Sequence, residues 1–365
     1  MRKFVYMVVL LSLGASLCAQ DSLRLRKGVE YAFAPVRQTG LYMPFPEEVP
    51  AGQYSGITYL GGTKYAVVHD KLNGGGLVLF DIFLSDDGTV AYVKAEVPQA
   101  TSVANESGLD NEGVVFVPLA SKRLGLGSSG EIFSQDLPEV EGVLLISQER
   151  DQTISEYTVE GVATGRTVAV PQMFAKDNIV LNNGFEALAY NAVTGLLWTT
   201  TERPLKQDQD SGELLRLQSF GPSYRAAESF LYMMDNPDVP LQMSSVARAY
   251  VHGVSAMTAL DDGSLLVLER EVYVPKGGTL AMMLGSFTRS KIYRVNPAKE
   301  QESAEPLRKT LFAQFMTSAL NIANYEGMCL GPDLPGGWHT LVLIADSQGG
   351  QNGLTNEYIK VITFK

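Results

Sequence analysis

The feature that most constrains this chain is an imperfect repeat, which joins two short apolar segments and recurs five times. Its clearest copy is 182–204 (NNGFEALAYNAVTGLLWTTTERP), in which 185–190 and 196–201 are typical of two strands joined by a tight turn. Glu186 lies near the start of the first strand, and Glu202 directly follows the second. Because paired strands of this kind run antiparallel, both acids are expected at the same edge of the hairpin.

Four further copies predict the overall architecture. They begin with the motifs SGITY at Ser55, DNEG at Asp110, GVSAM at Gly253 and YEGM at Tyr325. Repeated units of short strands separated by glycine-rich turns are typical of β-propeller blades. The sequence therefore predicts an all-β protein, a β-propeller of five or six four-stranded blades. A sixth blade is compatible with the N-terminal segment.

The fifth copy contains only three strand-like segments, at 326–330, 340–345 and 358–364. A spare alternating segment lies near the N terminus, within 23–37. Pairing that segment beside 357–364 would cover an open sheet edge, which sheet proteins need to protect. We therefore expect an N-terminal strand to close the last blade.

The N terminus has the pattern of an export signal. Arg2 and Lys3 precede the apolar run 4–13, and small residues follow before residue 20. We expect 1–19 to be a signal peptide, 20–54 an N-terminal segment with the closing strand, and 55–365 the propeller domain. Lipidation at Cys18 is less expected, because Leu17 is a poor fit before it. The expected location is the periplasm, the cell surface or the medium.

Composition narrows the range of partners. The formal net charge is −11, which disfavours nucleic acid as a partner. No later segment is long and apolar enough to predict a transmembrane helix. Without Cys18, only Cys329 remains, and it is expected to be a buried apolar residue. We expect a monomer that acts on a small-molecule or phosphorylated substrate.

The repeated acids predict a metal site. If each first strand lines the central channel, the entering and leaving acids share one mouth of it. The full set of expected acids is Asp70, Glu112, Glu149, Glu186, Glu202, Glu269, Glu326 and Asp346. Like charges at such density need compensation by cations. Glu112, Glu186 and Glu326 have no adjacent arginine, and carboxylate oxygens favour Ca²⁺, with Mg²⁺ also compatible.

Three arginines offer a second form of compensation. Arg150, Arg203 and Arg270 each follow an acid directly. They are expected either to bridge neighbouring blades through those acids or to bind the anionic oxygens of a substrate. His69 and Glu202 are the candidates for proton transfer, since both lie at the expected mouth.

The repeats also resemble a known family. The segments SGITYL, LDNEGVVFV, NNGFEALAYN with TTTERP, GVSAMTAL with VLERE, and NYEGMCLG with LIADSQ are similar to the phytase-like family described as "esterase-like activity of phytase". The resemblance runs from Ser55 to the C terminus. It implies a propeller fold and hydrolysis of phosphate or carboxylic esters. The D-A-x-D-D-P-A and N-N-x-D-x-R motifs of the calcium-dependent propeller phytases are absent, so their catalytic residues are not carried over.

The leading hypothesis is an exported ester hydrolase that depends on a divalent cation. Two alternatives stay open on the same scaffold. One is a lactonase-type hydrolase that uses a channel cation to open a cyclic ester. The other is a non-catalytic binding module outside the cytoplasm, since a propeller fold does not fix function.

Overall fold

The computed structural model describes residues 52–69, 76–98, 103, 110–119, 141–300, 305–318, 322–347 and 357–365. In these residues the chain forms nineteen strands in five antiparallel sheets, which follow one another along the sequence. The first sheet contains β1 (Tyr54–Gly61), β2 (Lys64–His69), β3 (Leu77–Leu84) and β4 (Val90–Glu96). The second contains β5 (Asn111–Pro118), β6 (Gly142–Gln148), β7 (Thr153–Thr158) and β8 (Ala163–Thr167).

The remaining three sheets continue the same order. The third contains β9 (Phe185–Asn191), β10 (Leu196–Thr201), β11 (Leu214–Phe220) and β12 (Ala226–Met233). The fourth contains β13 (Ala249–Ala259), β14 (Leu265–Val274), β15 (Phe287–Val295) and β16 (Thr310–Ser318). In the fifth, the described strands are β17 (Asn324–Leu330), β18 (His339–Asp346) and β19 (Ile359–Phe364).

The five sheets are the blades of a closed propeller. The first strands β1, β5, β9, β13 and β17 contact one another in that cyclic order, and β17 contacts β1 to complete the ring. The prediction of an all-β propeller is therefore confirmed, and the blade number is five. The expected closing strand within 23–37 lies outside the described residues.

Each interface between neighbouring blades has its own hydrophobic cluster. Leu268 and Phe315 of the fourth blade pack with Tyr325, Leu343 and Phe364 of the fifth, and the other four interfaces are built in the same way. Burial of one large apolar side chain contributes about 1.5–3 kcal/mol. The core is thus distributed around the ring, between the blades.

The glycines of the repeat allow the first strands to approach closely. A Cβ atom on Gly56 would lie 2.4 Å from the carbonyl oxygen of Glu112, and one on Gly113 would lie 2.8 Å from the amide nitrogen of Leu188. A Cβ on Gly327 would lie 3.0 Å from the amide nitrogen of Ile57. The motifs S-G and E-G therefore mark the points where one blade meets the next.

Two short helices connect strands in the third and fourth blades. They are α1 (Leu241–Ser244), which precedes β13, and α2 (Thr279–Gly285), which follows β14. Within the described ranges, no helix has the length and apolar character needed to cross a membrane. In the second blade the outer strand β8 ends at Thr167, and Gln172–Phe174 is a 3₁₀ turn.

Candidate functional site

The first strand of every blade has an irregularity at the same point of its pairing with the second strand. In four blades one residue of the first strand has no partner in the second strand at this point. In the second blade two residues, Glu112 and Gly113, have none. A β-bulge of this kind re-aims a side chain. The equivalent bulge residues are Ser55, Glu112, Glu186, Ser255 and Glu326. Four of them, all except Glu112, line the central channel.

The acidic side chains at the bulges affect the pKa of Glu186. Burial raises the pKa of Glu186 well above its ordinary value, and the negative charges of Glu112, Glu202 and Glu326 raise it further, while Arg270 opposes them. The charges of Glu112 and Glu326 thus act on Glu186 from two other blades. That these three residues hold one metal ion stays a prediction, because the carboxylates within 4.8 Å of one another in the described chain are Asp110, Glu112 and Glu149.

The ends of the second strands provide the other ring of side chains. Gln148, Thr201, Glu269 and Ala345 occupy equivalent places in the pairing, each opposite the residue before a bulge. The residues that follow them are therefore also equivalent. Those residues are Glu149, Glu202, Arg270 and Asp346, so the fourth blade has an arginine where the others have an acid.

This register corrects the expectation for Glu269. Consecutive strand residues point to opposite faces, so Glu269 and Arg270 diverge. The carboxylate of Glu269 accepts hydrogen bonds from the Tyr232 hydroxyl at 2.6 Å and from Lys309 Nζ at 2.7 Å. Glu269 therefore does not join the other acids at the mouth.

Arg270 is buried and links three blades. Its Nη2 donates to Glu202 Oε1 at 3.1 Å, and its Nη1 donates to Asn324 Oδ1 at 3.1 Å and to Glu326. Asn324 Nδ2 also donates to Glu326 Oε1 at 2.8 Å. Burial acts to lower the pKa of Arg270, but Glu326, Glu202 and Glu186 outweigh it and raise that pKa well above its usual value. Arg270 thus forms the inter-blade ion pairs that were one of its two expected roles.

The other two arginines are placed differently. Arg203 Nη1 lies 2.7 Å from His252 Nδ1 and 2.8 Å from Glu213 Oε2. Burial, followed by the charge of Arg203, lowers the pKa of His252 to about 4, so the imidazole is neutral and accepts this hydrogen bond. Arg150 is exposed at the end of the second blade, beside Glu149.

His69 ends β2 and is fully buried, with its ring edge-on to Tyr54 at 6.1 Å between centroids. Glu202 is also buried, and burial raises its pKa, as Glu326 does, against the opposing effect of Arg270. With the Asn183 amide oriented to satisfy its neighbours, its nitrogen donates to Glu202 Oε2 at 3.2 Å. Of the two candidates, Glu202 is therefore the one that joins the buried ion pairs of Arg270.

Three carboxylates of the second blade form a compact oxygen cluster. One ligand atom from each of Asp110, Glu112 and Glu149 lies within 4.8 Å of the others, a spacing that could hold a metal ion. Glu149 Oε1 accepts a hydrogen bond of 2.7 Å from the Gly184 amide of the next blade. Burial raises the pKa of Glu149 to about 7, and Glu202 and Asp110 add to this effect. An all-oxygen, negatively charged donor set fits a hard cation such as Ca²⁺ or Mg²⁺.

An open cleft of about 560 Å³ adjoins this cluster. Asp110 and Glu149 form part of its wall, and Arg150, Lys176 and Lys206 supply positive charge around it. The remaining lining residues are Gln152, Ile179, Val180, Leu181 and Asn182. The cleft thus places acids that suit a cation beside basic groups that suit an anion.

Some residues of this site were not identified from the sequence. Asp110 belongs to the DNEG motif and lies two residues before the bulge, in the place taken by Gly184 and Asn324 in other blades. Alignment of the five copies on their bulges would have selected it. Lys176 and Lys206 lie between strands, outside the repeat, and the sequence carries no periodic signal for them.

Comparison with known proteins gives one family match. Residues 49–348 match the family described as "Phytase-like: Esterase-like activity of phytase". No curated protein sequence matches the chain.

Solved structures with a similar overall course include a member of the DUF4221 family from Bacteroides vulgatus, at 8% identity and a TM-score of 0.40, covering 93% of this chain and 99% of that one. An α-L-arabinofuranosidase from Fusarium graminearum is similar at 10% identity and a TM-score of 0.43, with 88% and 97% covered. An exo-inulinase from Aspergillus awamori is similar at 11% identity and a TM-score of 0.40, with 88% and 63% covered.

Proposed function

This chain belongs to the phytase-like family, and from that premise we propose that it is an exported, cation-dependent hydrolase of phosphate or carboxylic esters. The observation that carries the proposal is the acidic cluster of Asp110, Glu112 and Glu149 beside a cleft with a basic rim. Opposite charges so arranged suit a substrate whose anionic group lies near the bond that is cleaved.

The cation would be held by Asp110, Glu112 and Glu149, of which only Glu112 was expected from the sequence as a metal ligand. When bound, a divalent cation supplies Lewis-acid polarisation of the scissile group. The amide of Gly184 fixes one oxygen of Glu149 at 2.7 Å, so this carboxylate is held in place for its role. The charge of Glu112 also acts on the buried Glu186 of the next blade and raises its pKa.

The basic residues of the rim bind the substrate in this proposal. Arg150 is exposed and follows Glu149 directly, so its guanidinium can reach an anionic oxygen beside the acidic cluster. Lys176 pairs with the exposed Asp151 at 3.4 Å, and Lys206 donates to a backbone carbonyl, so both ammonium groups keep free donors. The predicted contribution of Arg203 and Arg270 is indirect here, because each orients acids within and between blades.

Glu202 moves the proton. Its carboxylate is buried with a raised pKa and is held by Arg270 and Asn183. A raised pKa makes Glu202 take up a proton more readily than an ordinary glutamate, so it can exchange a proton with the reacting groups. The predicted participation of His69 stays a prediction, since its imidazole is buried against Tyr54.

The proposal is tested by assays of the purified protein on aryl phosphates, aryl acyl esters and lactones, with Ca²⁺, Mg²⁺ or a chelator. We expect cation-dependent turnover of an ester, reduced at least about 100-fold in Glu149→Gln. Glu160→Gln, an exposed change in the turn at the other end of the same blade, is the matched control and keeps full activity. Lactone turnover alone would favour the lactonase alternative. Absence of turnover and of cation binding would leave the binding module.

A further inference from the structure

The interface between the fourth and fifth blades buries polar groups that have no hydrogen-bond partner. Within the described residues these include Lys360 Nζ, the Tyr325 hydroxyl and the Ser290 hydroxyl, and each of the three side chains is at most 1% exposed. Buried polar groups are almost always satisfied by protein, water or a ligand. Three orphans at one interface therefore indicate a bound species.

All three groups adjoin the ring of Phe315. Lys360 Nζ lies 4.6 Å from the ring centroid, and the Tyr325 ring packs edge-on to it at 5.4 Å between centroids. Ser290 is the direct cross-strand partner of Phe315 in the pairing of β15 with β16. One aromatic ring is thus the common neighbour of the lysine, the tyrosine and the serine.

The row of orphan groups continues along the fourth blade towards the mouth. Arg270 is opposite Ser290, and residues that are opposite in an antiparallel pair share a face. The Nε of Arg270 and the buried hydroxyls of Thr288 and Ser286 also have no hydrogen-bond partner in the described chain. The face that the fourth blade presents to the fifth is therefore rich in donors.

The missing component is a negatively charged acceptor. An ammonium group offers only donors, and a buried one without a counter-charge is strongly unfavourable. The carboxylates of Glu202 and Glu326 already bind Arg270. Burial alone lowers the pKa of Lys360 to about 8, with no carboxylate acting on it. Water would complete the hydrogen bonds of Lys360, but it would not balance its charge.

We propose that a small monovalent inorganic anion, of the size of chloride, binds between the fourth and fifth blades. Lys360 Nζ is its charged donor, and the hydroxyl groups of Tyr325 and Ser290 complete its contacts beside the Phe315 ring. The anion is structural, since it joins β19 and β17 of the fifth blade to β15 of the fourth. This site is separate from the acidic cluster of the second blade and does not depend on the proposed hydrolase activity.

The test is thermal unfolding of the full chain in sodium chloride and in sodium gluconate at equal ionic strength. We expect chloride to raise the Tm of the wild-type protein by about 2–4 °C. Lys360→Met and Tyr325→Phe should each lose most of that rise. Lys64→Met, which removes an exposed lysine from the first blade, should keep it.

Crystals grown in bromide give the second readout. We expect an anomalous peak within hydrogen-bond distance of Lys360 Nζ in the wild-type protein and none there in Lys360→Met. Equal Tm values in the two salts, or ordered water without bromide beside Lys360, would overturn the proposal.

Discussion

Arg270 of the fourth blade and Glu202 of the third occupy equivalent places at the ends of their second strands, and they are joined by a hydrogen bond of 3.1 Å from Nη2 to Oε1. The repeat therefore supplies both the charge and its counter-charge from one structural position. On its other side, Arg270 binds Glu326 of the fifth blade. Because the fourth blade has an arginine where other blades have an acid, the charges of Glu202 and Glu326 are partly neutralised. Among the described residues, Arg270 makes no ion pair with the acids of the second blade.

Arg270→Met should destabilise the protein strongly, because it leaves Glu202 and Glu326 buried without a counter-charge. Loss of one partner of a buried ion pair costs about 3–5 kcal/mol. Urea unfolding at pH 7 measures this loss. The double variant Arg270→Met, Glu202→Gln should recover part of it, because one buried charge is removed. Lys176→Met breaks an exposed pair with Asp151 and should cost less than about 1 kcal/mol. Similar losses in the two single variants would contradict the assignment.

Gly184→Ala should weaken cation binding in the acidic cluster. A Cβ atom there would lie 1.9 Å from Gln152 Nε2 and 2.8 Å from Glu149 Cγ, so both side chains have to move and the hydrogen bond from the Gly184 amide to Glu149 is disturbed. Isothermal titration with Ca²⁺ should show about a 10–100-fold weaker Kd, the usual effect of losing a group that orients a ligand. Gly221→Ala, which has open space around its Cβ position, is the control. An unchanged Kd in Gly184→Ala would show that this amide does not position the ligand.

The stability of the cation-free protein should fall as pH rises from about 4.5 to about 7. The pKa of Glu149 is about 7 when folded and 4.5 as an ordinary value, so in this window the folded state holds a proton that the unfolded state has released. The full effect is about 3 kcal/mol at pH 8, from 1.36 kcal/mol per pKa unit. Chemical unfolding in chelator at pH 5 and pH 8 measures it. Glu149→Gln should show a smaller fall, and added Ca²⁺ should stabilise the wild type more at pH 8 than at pH 5.

Lys360→Met should stabilise the protein at pH 7 in gluconate buffer, where no small halide is present. The pKa of Lys360 is about 8 when folded and 10.5 as an ordinary value. The unfolded state therefore binds more protons between these values, and wild-type stability rises with pH across that window. The advantage of the variant should be about 3 kcal/mol at pH 7 and vanish near pH 10.5. A gap that is constant with pH would point to packing alone.

Much of the fold was predictable because the repeat combines two independent signals. Alternating apolar runs located the strands, and the third-blade strand Leu196–Thr201 has the same bounds in the structure as in the prediction. The motifs that precede each first strand located the blade junctions, where Gly56, Gly113 and Gly327 contact the neighbouring blade. Closure of the ring by β17 against β1 involves contacts distant in sequence, which no local pattern specifies.

The candidate site was less predictable, for two physical reasons. A side chain changes face with every residue along a strand, so an error of one position sent Glu269 to the wrong side of its blade. A bulge reverses that alternation again, and Glu186 and Glu326 reach the channel only because each lies in one. The carboxylate of Glu149 has Asp110 and Gly184 as neighbours, and the hydrophobic pattern does not distinguish these two from ordinary turn residues.

The residue type at the bulge of the first strand differs between the blades. Serine takes the bulge position in the first and fourth blades, and glutamate takes it in the other three. The repeat thus provides five equivalent positions, but the residue at that position differs between the blades. Because Arg270 closes the flank between the third and fifth blades, a ligand attracted by the remaining acids should approach obliquely, over the second blade, and not along the axis of the ring.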